Sequence, residues 1–227
     1  SSDLYWGARA VSRLSATTLG SCQITMILDS MGAQRHSWPR SQCMAAKEFS
    51  SFNRPRLANT TLIIHGFAVV TALSSHLVPT NASRSIEILA GGLTMLHQRG
   101  IDLTTVFLNV QADNCCKEVK NNGTIRFLAM KTALHCLGGA EVNFLTSGHS
   151  HEDIDALFSV IGSEIESCKE LWTPQDFQQC LEKFMQNTQV RPYEPQRRVV
   201  LLNQFKDWTL QFLFHQRFWV LCCWCEA

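Results

Sequence analysis

Leu145-Thr-Ser-Gly-His-Ser-His-Glu-Asp-Ile-Asp-Ala-Leu-Phe-Ser159 decides how this chain reads. Its centre packs His149, His151, Glu152, Asp153 and Asp155 close together. An apolar run, Val142 to Leu145, precedes the cluster, and a helical pattern follows. The acids therefore fall where a strand hands over to a helix N-terminus. Negative charge is favoured there, because the first four helical N–H groups lack intrahelical partners.

Working outward, two further acids follow apolar runs of strand type. Ile24-Thr-Met-Ile-Leu28 leads into Asp29, and Val106-Phe-Leu-Asn-Val110 leads to Asp113. Carboxylates at three strand ends suit a divalent-metal site for phosphodiester chemistry. Hard cations such as Mg²⁺ or Mn²⁺ choose oxygen ligands, and rigid strand ends fix them in place. The expected set is Asp29, Asp113 and one acid of the third cluster, Asp155 or Asp153, holding two ions. On the last helix, Ile154, Leu157, Phe158, Ile161 and Ile165 define the buried stripe. Asp153 and Asp155 flank that stripe, whereas Glu152 points away from it. Each acid also has a plainer explanation: Asp29 and Asp-Asn at 113–114 suit turns, and the helix acids complement the dipole. Asn114, Glu118, His149 and His151 are supporting candidates; a His-x-His metal pair is disfavoured because no His-rich ligand set closes around it.

The intervening segments give the architecture. Thr60 to Leu73 is apolar with His65-Gly66 at its middle, which predicts two strands or one bent strand. Asn81 or Ser83 caps a helix over 83–99 that ends at Gly100. A second helix is expected over 122–137, with Asn121 or Asn122 as cap. Its apolar side carries Ile125, Leu128, Met130, Ala133, Leu134 and Leu137, and Gly138-Gly139 stops it. Glu141–Thr146 reads as a strand and His151–Cys168 as a helix. The order β-β-β-α-β-α-β-α matches an α/β, ribonuclease-H-like mixed sheet. Residues 1–19 are expected to be the edge of a fragment, since the chain opens without Met. Residues 20–170 form the domain, and 171–227 a helical, aromatic-rich extension. Within that extension Phe177, Cys180, Leu181 and Phe184 mark an amphipathic helix. The apolar tail either docks on the core or reflects a faulty gene model.

Composition bounds the function. Hydrophobic residues at 45% and charged residues at 17% exclude a disordered chain. A net charge of +1 gives no global argument for nucleic-acid binding, so local groups must carry it. Arg35, Arg40, Lys117 and Lys120 are the candidates for phosphate contacts, each with a solvated rim as its plainer reading. The ten cysteines lack the spacing of a disulfide scaffold and read as reduced thiols. Cys115-Cys116 and Cys222-x-x-Cys225 each lack a second half at zinc-ligand spacing. No signal peptide or membrane span is read, which points to a nuclear or cytoplasmic protein, not a secreted one. Asn59, Asn81 and Asn122 head N-x-[S/T] tripeptides of the kind that arise by chance.

Two blocks carry a resemblance. Asp113-Asn-Cys-Cys-Lys-Glu118-Val-Lys120-Asn121 and Gly148-His-Ser-His-Glu-Asp-Ile-Asp155 resemble the signature of an uncharacterised, transposon-associated domain family. Asp29-Ser-Met-Gly32-Ala-Gln-Arg35, followed by Pro39-Arg40, resembles its upstream block, and His65-Gly66 fits its middle strand. The resemblance covers about residues 20–170. It implies a ribonuclease-H-like domain akin to DDE transposases and integrases, with DNA as partner and Asp155 as third acid. No small-molecule substrate is expected, and homo-oligomerisation is left open. Gly32 stands where the family usually has a second Asp, and Arg35 where it has Lys. A domesticated, catalytically silent binding module is therefore the rival, and a histidine-based metal hydrolase ranks last.

Overall fold

From Ile24 to Leu28 side chains alternate between two environments, as the two-residue period of a strand requires. Ile24, Met26 and Leu28 enter one apolar cluster and Ile27 the other. In the computed structural model, which describes residues 2–17, 23–32, 36–41, 53–75, 77–112, 121–144, 152–186 and 195–208, this strand is β1 (Gln23–Met31). It pairs antiparallel with β2 (Leu57–Ile64), placing Asp29 opposite Thr61. On its other side it runs parallel to β4 (Phe107–Ala112), placing Leu28 opposite Ala112. The strand that carries Asp29 thus lies beside the strand that leads to Asp113.

β2 turns back into β3 (Ala68–Ser75) through a tight connection, so the apolar run makes two strands. Gly66 takes φ 82°, and the Phe67 N–H bonds the Ile64 carbonyl at 2.9 Å. A positive φ costs glycine nothing sterically, which is why the bend falls there. β5 (Gly139–Phe144) continues the parallel side next to β4. β6 (Gln196–Leu202) adds in parallel to the far edge of β3. The resulting mixed sheet has the order β5-β4-β1-β2-β3-β6.

Helices cover both faces. α2 (Ala82–Gln98) starts at Asn81, whose side chain accepts the Arg84 N–H at 3.3 Å. It packs close on β2: a Cβ at Gly92 would meet Leu62 Cδ2 at 2.5 Å. A short 3₁₀ turn, Leu103–Thr105, leads into β4. α3 (Asn122–Ala133) is capped by Asn121, which accepts the Thr124 N–H at 3.0 Å. It ends earlier than the glycine pair suggested, because His135 turns to φ 53°. Gly138 serves instead as a close-approach point, where a Cβ would meet the Thr104 carbonyl at 2.7 Å. The buried side of α3 also differs from expectation. Phe127 and Leu128 point inward, whereas Ile125 and Leu134 are exposed.

The second face carries α4 (Glu152–Ser167) and α5 (Pro174–Gln186). Ile154, Leu157, Phe158, Ile161 and Ile165 of α4 bury against Ile27, Ile63 and Val69, as their spacing predicts. Phe177, Leu181 and Phe184 of α5 join the same cluster. Thr173, Pro174 and Asp176 start α5 as a capping box. The Asp176 carboxylate accepts the Trp172 and Thr173 N–H groups at 2.8 Å each, and the Asp176 N–H returns to Thr173 Oγ1 at 3.2 Å.

The segments on either side of the expected domain both carry regular structure. Residues 2–17, expected as a fragment edge, form α1 (Ser2–Thr17), which packs on β1. Ser12 Oγ donates to the His65 carbonyl at 2.9 Å and accepts the Thr25 N–H at 3.0 Å. The segment expected as a helical extension contains one helix and then a strand. Arg-Arg-Val-Val-Leu-Leu has no helical period, and the open edge of β3 supplies the backbone partners it needs. Beyond β6, Trp208 docks under the first face. Its indole N–H donates to Glu87 Oε2 at 2.9 Å, and its ring meets Phe127 edge-on with centroids 5.3 Å apart. The remainder of the aromatic tail, 209–227, lies outside the described residues.

Candidate functional site

Asp29 sits near the end of β1, half-buried, with its Oδ1 accepting the Ser30 N–H at 2.7 Å. Strand periodicity puts it on the same face as Ile27 and Met31, both of which pack in the α4–α5 cluster. Directly paired residues share a face, so Thr61 lies beside it. Thr61 Oγ1 donates to Asn59 Oδ1 at 3.3 Å and meets Thr71 Oγ1 at 3.2 Å. All three of these polar side chains are buried. Asp29 therefore stands at the edge of a buried, hydrogen-bonded polar patch under α4 and α5.

Sequence reasoning missed that patch. Its signal was present in the spacing of Asn59, Thr61 and Thr71 within otherwise apolar strands, which puts polar groups on one face. Burial also removes Asn59 from the tripeptides that a glycan can reach in the folded chain.

The first turn of α4 separates the two candidate acids. Ile154 between them is buried. Asp153 is half-buried, and its Oδ2 lies 2.9 Å from Arg9 Nη1 of α1. The same guanidinium stacks over the Trp6 ring, 4.6 Å from its centroid. Asp155 is exposed on the other side of the helix. Flanking the buried stripe thus has unequal results: one acid is held in an ion pair and the other faces solvent. α4 packs on the sheet face to which Asp29 projects, so Asp29 and the α4 acids share one side of the sheet.

The second station, Asp113, lies outside the described residues, as do Asn114, Lys117, Glu118 and Lys120. The last residue described before it, Ala112, is paired with Leu28, the neighbour of Asp29. His149, His151 and Arg35 also lie outside the described residues, and Glu152 is described only as the first residue of α4. Arg40 is half-buried and tied through its backbone to Leu171, by bonds of 2.7 and 2.8 Å. Gly32 is exposed, and a Cβ there would meet nothing within 4 Å among the described residues.

Two other features lie away from these acids. Arg99, Arg197 and Arg198 line a shallow groove where β6 passes the end of α2, at the edge of the sheet remote from β4. Glu164, Cys168 and Cys180 converge between α4 and α5, their ligand atoms all within 4.8 Å of one another. Among the described residues no helix is long and apolar enough to cross a membrane.

Residues 57–216 match the profile of a family described as a domain of unknown function (DUF7869), and the chain belongs to that family. The matched span starts with β2 and runs beyond β6 and Trp208, so it crosses the boundary expected at residue 170. Asp29 and Gly32 precede it. No curated protein and no solved structure matches the chain.

Proposed function

We propose that this member of the DUF7869 family is a ribonuclease-H-like domain that cleaves or joins DNA phosphodiester bonds, in the manner of transposases and integrases. One observation carries the reading. β1 and β4 are parallel neighbours in a register that pairs Leu28 with Ala112, so the residues before Asp29 and Asp113 sit side by side. The helix after β5 then brings Asp153 and Asp155 to the face that Asp29 shares. From β1 to α4 the elements run β-β-β-α-β-α-β-α, the order expected of that fold.

The donor set fits a hard divalent cation. Asp29, Asp113 and Asp155 offer carboxylate oxygens, and Asp29 is anchored by the Ser30 N–H on a rigid strand. When bound, two Mg²⁺ or Mn²⁺ ions supply activation of the attacking oxygen and stabilisation of the leaving one. The buried Asn59, Thr61 and Thr71 patch keeps the floor beneath Asp29 fixed. Arg9 occupies Asp153, which leaves Asp155 as the one of these two acids open to solvent and ligand. Arg35, Arg40, Lys117 and Lys120 are the proposed contacts to backbone phosphates, which position DNA without reading sequence. This reading goes with nuclear or cytoplasmic residence.

The test is a Mn²⁺-dependent nicking assay on supercoiled DNA. Wild type should nick, and Asp29→Asn should not, with an unchanged thermal midpoint. Equal nicking by both proteins would remove Asp29 from the acid set.

Gly32 favours a second reading, a silent nucleic-acid or protein binding module. It offers no side chain where the resembled pattern has a second Asp. None of the described residues crowds Gly32, so Gly32→Asp should fold normally. An inactive wild type whose Gly32→Asp variant nicks DNA would identify a domesticated copy that lost one acid.

A further inference from the structure

We propose that Cys168 and Cys180 form an intramolecular disulfide that staples the end of α4 to the middle of α5, making this pair an oxidation site separate from the acids. Cys168 directly follows α4, and its N–H still bonds the Glu164 carbonyl at 3.2 Å. Cys180 lies within α5. Both thiols are free and half-buried. Leu171 and Phe177, in the intervening segment, are buried in the second apolar cluster, so the two ends are held in place.

The sulfur separation decides between a bond and an ion. Sγ to Sγ is 2.6 Å. A covalent disulfide has S–S of about 2.05 Å, roughly half an ångström closer. Two thiolates on one tetrahedral zinc, each bonded at ~2.3 Å, stand roughly 3.7 Å apart. Closing the pair therefore needs a smaller displacement than opening it around a cation, although Glu164 supplies a third ligand atom nearby.

Reactivity follows from the surroundings. Burial, then the hydrogen bond and charge of Cys168, push the Cys180 thiol up to about 12. Cys180 is thus a poor first nucleophile at neutral pH. Glutathione disulfide is a sufficient oxidant. Cys168 loses its proton and attacks one glutathione sulfur; that S–S bond breaks, and the departing thiolate takes up the proton. With Cys168 bound in a mixed disulfide, its contribution to raising Cys180 is gone. Cys180 then loses its proton and attacks the Cys168 sulfur, and the second glutathione leaves as a thiol. The protein gives up two electrons and two protons, and the glutathione disulfide becomes two thiols.

The test uses the full reduced chain in glutathione buffers of rising oxidised fraction, quenched by alkylation and mapped by mass spectrometry. The expected product is a cross-linked peptide pair joining Cys168 to Cys180, two hydrogens lighter than the thiols. It should form before cross-links involving the other cysteines and raise the thermal midpoint. Cys168→Ser and Cys180→Ser should each abolish both effects. Separate alkylation of both thiols across the whole series would overturn the proposal, and wild type alone suffices for that result if a variant misfolds. Stoichiometric zinc in the purified chain, lost in Glu164→Gln as well as in both serine variants, would overturn it in favour of a cation site.

Discussion

Arg9 Nη1 lies 2.9 Å from Asp153 Oδ2, so the first helix holds the same helical turn that carries Asp155. The two side chains are 14% and 22% exposed, which puts the pair between a surface bridge and a buried one. Such a pair is screened less by salt than an exposed bridge.

Arg9→Ala is therefore expected to cost roughly 1–2 kcal/mol, between the surface and buried ranges. Asp153→Ala should cost a similar amount, and the double variant less than the sum. Urea denaturation of the four proteins measures the coupling. Additive losses would show that the contact contributes nothing to stability.

The second expectation concerns the third acid. Because Arg9 occupies Asp153, Asp155→Ala should abolish Mn²⁺-dependent nicking, and Asp153→Ala should retain most of it. Glu152→Ala should leave nicking nearly intact and cost about 0.3–1 kcal/mol through the helix dipole. A dead Asp153→Ala beside an active Asp155→Ala would exchange their roles.

Trp208 gives a third. It is fully buried against Phe127 and bonded to Glu87, which is also buried. Trp208→Ala should cost about 3–5 kcal/mol, from lost burial and the cavity left behind. Trp208→Phe keeps much of the ring but strips Glu87 of a donor, so a smaller loss of roughly 1–3 kcal/mol is expected. Chemical denaturation with unchanged midpoints in both variants would mean that the chain beyond β6 is not anchored here.

A fourth prediction is a pH effect at α5. The Thr173 backbone N–H, opposed by burial and aided by the Trp172 N–H and the Thr173 side chain, holds Asp176 below its ordinary value of 3.8. A carboxyl lowered on folding stabilises the fold above its unfolded value. That contribution is fully present at neutral pH and disappears as pH falls through and below 3.8. Asp176→Asn should be less stable than wild type at pH 7, and the difference should shrink towards pH 3. A pH-independent difference between the two proteins would contradict the capping role of the ionised carboxylate.

Much of this fold was legible locally. Short apolar runs marked β1 and β4, which lie inside the sheet, and apolar residues at helical spacing marked α2, α4 and α5. Asn81 and Gly66 fixed a helix start and a turn by side-chain capping and by a positive φ, effects that reach only a few residues. α3 was legible as a helix but not in its inward face. Phe127 is buried partly because Trp208, 81 positions later, meets its ring.

What the sequence alone determined was the set of local elements and the positions of acids at their ends. Which ends meet was decided by tertiary structure. β6 is a strand because β3 had an unpaired edge, and α1 is fixed by bonds from Ser12 to His65 and Thr25. Asp153 and Asp155 are near-equivalent acids in one helical turn until Arg9 arrives from the other end of the chain and pairs with one of them. Backbone pairing and charge pairing act over a few ångströms in space, whatever the separation along the chain. Their partners therefore become defined only when the sheet has assembled.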